Sequence, residues 1–160
     1  MFANYLLALP ARKRLDVLAL LVASALPDLE GLYYIPAAQA ACGADFACMA
    51  AYPSHFMLHS FFGVFIVVGP LVALGLLHFR KKMKWKKFTI LTIYLSAALG
   101  GLLHLLEDLT YHTGADSLYL LWPAGQQFSF AFANSGTFWA VLAGLGLFAF
   151  FWFEVRGLKV

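Results

Sequence analysis

Residues 88–112 read FTILTIYLSAALGGLLHLLEDLTYH, and this stretch decides the fold of the chain. Its first part, 88–103, contains no Asp, Glu, Lys, Arg or His, and three ionisable residues then follow closely: His104, Glu107 and Asp108. About 20 apolar residues are enough for a helix to cross the ~30 Å hydrocarbon core of a bilayer. We therefore predict a membrane-spanning helix over about 88–108 that carries ionisable side chains at one end.

Three further apolar runs have a similar length, at about 14–35, 57–79 and 135–155. The first of them is interrupted by Pro27-Asp28-Leu29-Glu30. Across the chain 62% of residues are hydrophobic and 12% are charged, whereas a soluble domain is typically about 25% charged. This composition argues against a soluble protein. We predict an all-α integral membrane protein, a four-helix bundle in which residues 1–160 form a single transmembrane domain.

The basic residues predict which side of the membrane each end of the bundle faces. They fall at the edges of the apolar runs, in Arg12-Lys13-Arg14, in the segment 80–87, and at Arg156 with Lys159. Because Lys and Arg are retained in cytoplasmic loops, we predict a multi-pass protein of the cell (inner) membrane with both termini in the cytoplasm. The loops 36–54 and 109–134 contain no Lys or Arg and then lie outside. The net charge is +3, but no basic–aromatic platform accompanies it, so we predict no nucleic-acid partner.

Two cysteines, Cys42 and Cys48, fall in the first of these outer loops. In an oxidising compartment they can form a disulfide that closes a short loop. The alternative is that both are unpaired small residues.

Ionisable residues gather at the outer ends of three predicted helices. They are Asp28 and Glu30 on the first, His55 and His59 at the start of the second, and His104, Glu107 and Asp108 on the third. At ~1.5 Å of rise per residue, Asp28 lies about 21 Å from Arg14 and His104 about 26 Å from Lys87, so the depths agree. A charged side chain near the bilayer centre costs at least ~2.5 kcal/mol, and such residues usually face a partner or a cavity. We interpret the cluster as a functional site.

The spacing of these residues favours a metal ion. His104 and Asp108, like His55 and His59, are four residues apart and share a helix face. Asp28 and Glu30 are two apart, so either the helix is disturbed near Pro27 and both point inward, or one alone is a ligand. The predicted metal ligands are Asp28, His55, His59, His104 and Asp108. Such His and carboxylate ligands suit Zn²⁺, and also Fe²⁺ or Mn²⁺.

Glu30 and Glu107 are the predicted catalytic residues, as a general base or as partners that orient a ligand histidine. Plainer interpretations stay open for single residues. His104 and Asp108 alone would also form a hydrogen bond between packed helices, and His55 alone would be an interfacial histidine. His112, in a loop, is not predicted as a ligand.

The order of these motifs resembles a known family. Leu26-Pro27-Asp28-Leu29-Glu30, His59-Ser60, Gly101-x-x-His104-x-x-x-Asp108, Gly114 and Trp122-Pro123 are similar to motifs of the membrane-bound metal-dependent hydrolase family (YdjM-like). The resemblance covers roughly residues 20–125 and implies a metal site formed by Asp28, Glu30, His59, His104 and Asp108. Glu30 stands where the family commonly has Asp. A histidine that many members carry near the N-terminus is missing here.

The leading functional prediction is a membrane-embedded metal-dependent hydrolase that acts on a lipid or another amphiphilic ester or phosphoester. The alternative is a small ion or proton transporter or channel that uses the same polar cluster, since buried carboxylates and histidines also serve ion pathways. Besides the lipid bilayer and a lipid-like substrate, a homodimer is compatible with so small a bundle.

Overall fold

The structure, a computed structural model, describes residues 1–50, 52, 56–83, 88–112, 117–130, 132 and 134–156, without the side chains of 46, 50 and 81–83. Within these ranges the chain is helical and forms no β-strand; Leu118 and Phe128 make a single antiparallel bridge. The α-helices are α1 (Phe2–Ala8), α2 (Val17–Ala23), α3 (Gly31–Cys42), α4 (Phe46–Ala50), α5 (Gly69–Met83), α6 (Ile90–Tyr111) and α7 (Ser135–Phe150). Short 3₁₀ segments occupy Leu9–Ala11 and Pro27–Glu30, and π-helical segments occupy Gly63–Val68 and Phe151–Val155.

Four helical stretches are long and apolar enough to cross a membrane, as predicted. We call them the first to fourth spans: Val17–Cys42, Gly63–Arg80, Ile90–Tyr111 and Ser135–Val155. The fourth span has the predicted bounds, and the third extends three residues beyond residue 108. The first continues past the predicted end at residue 35, because α3 follows directly on the 3₁₀ segment that Pro27 opens.

The second span begins later than the predicted residue 57, because the chain first makes a tight turn. Helical structure starts at Phe61. Ser60 caps it, since its hydroxyl accepts a hydrogen bond from the Gly63 N–H at 3.0 Å and donates one to the Met57 carbonyl at 2.5 Å. A side chain at Gly63 would overlap the Met57 carbonyl. The turn before the second span therefore requires glycine at this position.

The third span lies at the centre of the bundle and touches two neighbours through a glycine pair. A methyl group at Gly100 would overlap the backbone of Leu20 in α2, and one at Gly101 would press on Val64 of the second span. Small residues at such crossings let helix backbones approach closely in membranes. Ala19, Ala23, Val68, Ile93 and Ala97 form the core beside this crossing.

Helix α1 was not among the predicted segments, and it lies inside the bundle. Its largest packing surface is with α7. There the Phe2 carbonyl lies against Gly146, where any side chain would overlap it. Tyr5 is buried and its hydroxyl donates a hydrogen bond to Glu154 at 2.9 Å. Gly146 thus provides the surface on which α1 docks.

One end of the bundle is basic and is held by one buried and one partly exposed ion pair. Asp16 is fully buried, caps α2, and forms a two-pronged ion pair with Arg80 of the second span. The Asp16 N–H also donates a hydrogen bond to the Ser96 hydroxyl at 2.8 Å. Arg12 lies 3.4 Å from Glu154 at the end of the fourth span. These contacts join all four spans at this end.

The disulfide prediction is confirmed, because Cys42 and Cys48 are bonded. The bond connects the end of α3 to α4, so it closes the turn after the first span. It lies beyond the end of the first span that is opposite to Arg12 and Arg80.

We expect Gly146→Ala to destabilise the protein by about 1–3 kcal/mol, the usual cost of forcing extra atoms into a packed contact. Gly100→Ala should do the same by pushing α2 away from α6. Gly144→Ala is the matched control, since nothing lies within 4 Å of a methyl group there. Thermal unfolding in detergent measures all three. An unchanged midpoint for Gly146→Ala would contradict the docking of α1.

Candidate metal centre

Four side chains from the first span, the third span and the turn before the second span bring their donor atoms close together. His59 Nε2 and His104 Nε2 are 3.2 Å apart. Asp108 Oδ2 lies 2.9 Å from His104 Nε2 and 3.3 Å from His59 Nε2. Asp28 Oδ1 lies 3.5 Å from His104 Nε2 and 3.9 Å from His59 Nε2. Two imidazole nitrogens and two carboxylate oxygens thus face each other.

These separations fit a single metal ion. Ligands at ~2.0–2.1 Å from a tetrahedral Zn²⁺ lie roughly 3.3 Å from one another. The donors of Asp28, His59 and His104 all lie within 4.8 Å of one another, and Asp108 Oδ2 stands beside both histidines. Asp28, His59 and His104 therefore fit a metal site, and Asp108 lies beside its two histidines.

The third span contributes His104 and Asp108 through the predicted helical spacing of four residues. Both side chains are on the buried face of α6, with exposed fractions of 4% and 7%. The other oxygen of Asp108, Oδ1, lies 3.8 Å from Nε2 of His112 one turn further on. His112 therefore approaches Asp108 from the side away from His104.

The first span contributes both of its acidic residues, which reach opposite sides of one imidazole. The 3₁₀ segment Pro27–Glu30 breaks the α-helical register, and Asp28 faces Nε2 of His59 while Glu30 faces Nδ1. Of the two alternatives for this segment, the structure shows the disturbed helix with both carboxylates at the site. Asp28 belongs to the group of donors, and Glu30 lies behind His59.

Glu30 fixes the position of His59 through three hydrogen bonds. Its carboxylate lies 2.7 Å from His59 Nδ1 and accepts bonds from the backbone N–H groups of Phe56 at 3.0 Å and Leu58 at 2.6 Å. With its Nδ1 proton directed at Glu30, His59 presents Nε2 to the other donors. A carboxylate behind a histidine is the usual arrangement around protein-bound metals, where it sets the tautomer and the ring orientation.

The electrostatics of the cluster favour a cation. His59 lies in the turn before the second span and is 2% exposed. Burial by itself lowers its pKa, but hydrogen bonds to Asp108 and Glu30 outweigh burial and raise the pKa to about 9. The carboxylates on both sides of His59 therefore favour positive charge at this position. A metal ion bound there would supply such charge, and the ligating imidazole nitrogen would then be deprotonated.

Two predicted site residues remain, His55 and Glu107. His55 lies outside the described residues. The helix turn predicted to align it with His59 does not form between 56 and 60, because Glu30 binds the N–H groups of Phe56 and Leu58 there. Glu107 is one quarter exposed, and its Oε2 is a buried atom for which the described part of the chain provides no hydrogen bond.

A cleft of about 360 Å³ opens beside the donors, and sequence reasoning missed most of it. Its lining includes Asp28, His104, Glu107, Asp108, Tyr111 and His112 on one side, and Gly136, Trp139, Ala140 and Ala143 of α7 on another. The fourth span carries none of the predicted site residues. The signal that would have found it is the spacing of Gly136, Ala140 and Ala143, which places three small residues on one helix face.

No protein-family model, curated protein or solved structure matches this chain.

We expect Glu30→Gln to weaken metal binding about 10–100-fold, the usual cost of removing a carboxylate that orients a ligand histidine. The amide keeps the size of the side chain but lacks the charge that holds His59. Calorimetric titration of Zn²⁺ into the metal-free protein measures the change. Asp45→Asn, which alters a carboxylate in the exposed turn before α4, is the control. Equal zinc affinity in Glu30→Gln and wild type would contradict this role.

Proposed function

We propose that this chain is a membrane-embedded metal-dependent hydrolase. The observation that carries the proposal is the group of donor atoms from Asp28, His59 and His104, which lie within 4.8 Å of one another, with Asp108 beside both histidines and Glu30 behind His59. Ionisable groups at membrane depth are costly and mark functional sites. The resemblance of the motifs around Asp28, His59 and His104 to the membrane-bound metal-dependent hydrolase family supports the same assignment.

Zn²⁺ is the proposed metal, since two histidines with two carboxylates form a ligand set that it accepts, and Fe²⁺ or Mn²⁺ suit the same set. When bound, the metal supplies Lewis acidity, which lowers the pKa of water and polarises a carbonyl or phosphoryl oxygen. The chain's own residues provide the rest. Glu30 holds His59 in place, and the buried faces of His59 and His104 exclude bulk water from one side of the centre.

Glu107 is the proposed general base. It lines the cleft next to His104 and Asp108, on the side from which a substrate can approach. Its carboxylate accepts a proton from the attacking water and returns it to the leaving oxygen as the ester or phosphoester bond breaks. Asp28, which is largely exposed, contributes charge on the same side.

The orientation in the membrane follows from charge. The end with Arg12, Arg80 and Arg156 is proposed to face the cytoplasm, in accordance with the positive-inside rule. The metal centre then lies in the outer half of the cell (inner) membrane, and the Cys42–Cys48 disulfide faces an oxidising compartment. At that depth the ester and phosphodiester bonds of lipids are the accessible substrates. A homodimer remains compatible with this arrangement.

A small ion or proton transporter that uses the same cluster is the second candidate. One observation favours it: Asn4 is fully buried one turn from the cleft, and neither side-chain atom has a hydrogen-bond partner among the described residues. The hydrolase is favoured because Asp16 and Glu154 at the basic end are occupied by Arg80 and Arg12. Zinc or proton flux in proteoliposomes would support transport.

Purified wild-type protein is expected to contain close to one equivalent of zinc or another divalent metal, and a His104→Ala/Asp108→Ala variant is expected to lose it. Mass spectrometry of both proteins measures the metal directly. His78→Ala is the matched control, because His78 is exposed near the basic end of the second span. Metal retained in the double variant, or missing from the wild type after supplementation, would refute the metal centre.

Glu107→Gln is expected to keep the metal and to reduce hydrolysis by about 100-fold or more, the usual contribution of a positioned acid–base group. The assay uses two chromogenic probes, a p-nitrophenyl ester and bis-p-nitrophenyl phosphate, to distinguish carboxylic ester from phosphodiester cleavage. Metal content measured on the same samples shows that the site is intact. Full activity in this variant would exclude Glu107 as the base.

A further inference from the structure

The third and fourth spans are held apart by α1 over part of their length. Helix α7 packs mainly against α1 and only slightly against α6. Helix α1 contacts α7 near the middle of the fourth span, where the Phe2 carbonyl lies against Gly146. Met1, directly before α1, lines the cleft on that side. A space therefore remains between α6 and α7 above α1.

The same two helices are joined again near the end of α6. The Trp139 indole N–H donates a hydrogen bond to the Thr110 hydroxyl at 2.7 Å. One turn away, the Tyr111 ring lies so close to Gly136 that a methyl group there would come within 3.1 Å of it. These contacts close the upper end of the cleft. Among the described residues these contacts bound the cleft above and below, and the gap between α6 and α7 forms a sideways opening.

The sideways opening is lined by small residues of α7. Gly136, Ala140 and Ala143 line the cleft, and Ala140 is exposed. From Gly136 to Ala143 the helix rises ~10 Å. Because α6 and α7 run in opposite directions and Tyr111 lies beside Gly136, Ala140 and Ala143 are level with Glu107 and His104. The small-residue wall therefore stands opposite the metal centre itself.

The opposite wall carries buried polar atoms. The side chain of Asp108 is nine-tenths buried, and its Oδ2 lies 2.9 Å from His104 Nε2 and 3.3 Å from His59 Nε2. Oε2 of Glu107, in the same cleft, is buried, has no hydrogen bond within the described part of the chain and lies 4.0 Å from the Met1 amino group. One wall thus suits a polar reactive group and the other an apolar chain. The volume of about 360 Å³ is at the lower end of the range for small-molecule sites.

We infer that the substrate is an amphiphile whose apolar chain leaves the metal centre sideways, between α6 and α7, past Ala140 and Ala143. This inference rests on the proposed hydrolase function and deepens it. The substrate enters from the bilayer rather than from water, with its reactive group at the metal centre and one chain along α7. Ala140 and Ala143 are then the residues that set which chains fit.

Two zinc-binding probes test this: acetohydroxamate, which lacks a chain, and dodecanohydroxamate, which has one. Calorimetric titration into zinc-loaded protein in detergent compares wild type with Ala140→Phe and Ala143→Phe. We expect the phenylalanine variants to bind dodecanohydroxamate ~tenfold more weakly, the loss expected when about two buried methylene groups are displaced. Binding of acetohydroxamate should stay within about twofold, because the donors are untouched.

Val141→Phe is the matched control, since Val141 is an exposed residue of α7 that does not line the cleft. Any partition of the long chain into detergent is the same for all variants, so the comparison isolates the cleft. Equal binding of dodecanohydroxamate by Ala143→Phe, Ala140→Phe and Val141→Phe would overturn the inference while the metal centre stands. Failure of the wild type to bind zinc or acetohydroxamate would instead overturn the proposed function, and the inference with it.

Discussion

The close packing of two neighbouring segments on the glycine pair of the third span is the constraint on which the site depends. Gly100 meets the backbone of Leu20, and Gly101 meets Val64. His104 is one helical turn beyond Gly100, and Asp108 is one turn further on the same face. Because the spans touch at the glycines, these two side chains reach residues of the neighbouring chain segments. A wider crossing would separate the donors by more than a single ion can bridge.

The two ends of the bundle treat buried charge in opposite ways. At the basic end each described carboxylate has an arginine, Asp16 with Arg80 and Glu154 with Arg12. At the candidate metal centre, the carboxylates of Asp28, Glu30 and Asp108 have only histidines as their side-chain partners in the described contacts. Histidine provides positive charge only by holding a proton. A divalent cation would supply that charge in a medium where unpaired charges are expensive, so the arrangement is compatible with a metal ion.

The sequence was sufficient for features that depend on a helical repeat or on composition. The four spans follow from apolar length, and the pairing of His104 with Asp108 follows from a spacing of four on one helix. It was insufficient where the backbone leaves the helix. The position of His59 depends on a turn that Glu30 stabilises from 29 residues away, and a long-range contact of this kind leaves no periodic signal. Helix α1 was missed for another reason, since Phe2–Ala8 is too short to register as a span.

Irregular backbone next to a membrane span requires its own explanation, because N–H groups that are not bonded within a helix cannot be left exposed to lipid. The turn from Phe56 to Ser60 directly precedes the second span, and Glu30 accepts two of its N–H groups. The same carboxylate also holds His59 Nδ1. One side chain therefore satisfies the backbone of the turn and orients the histidine that the turn carries. The non-helical entry to the second span is thus a requirement of the site: a regular helix there would satisfy its own N–H groups and leave Glu30 without the contacts that place it behind His59.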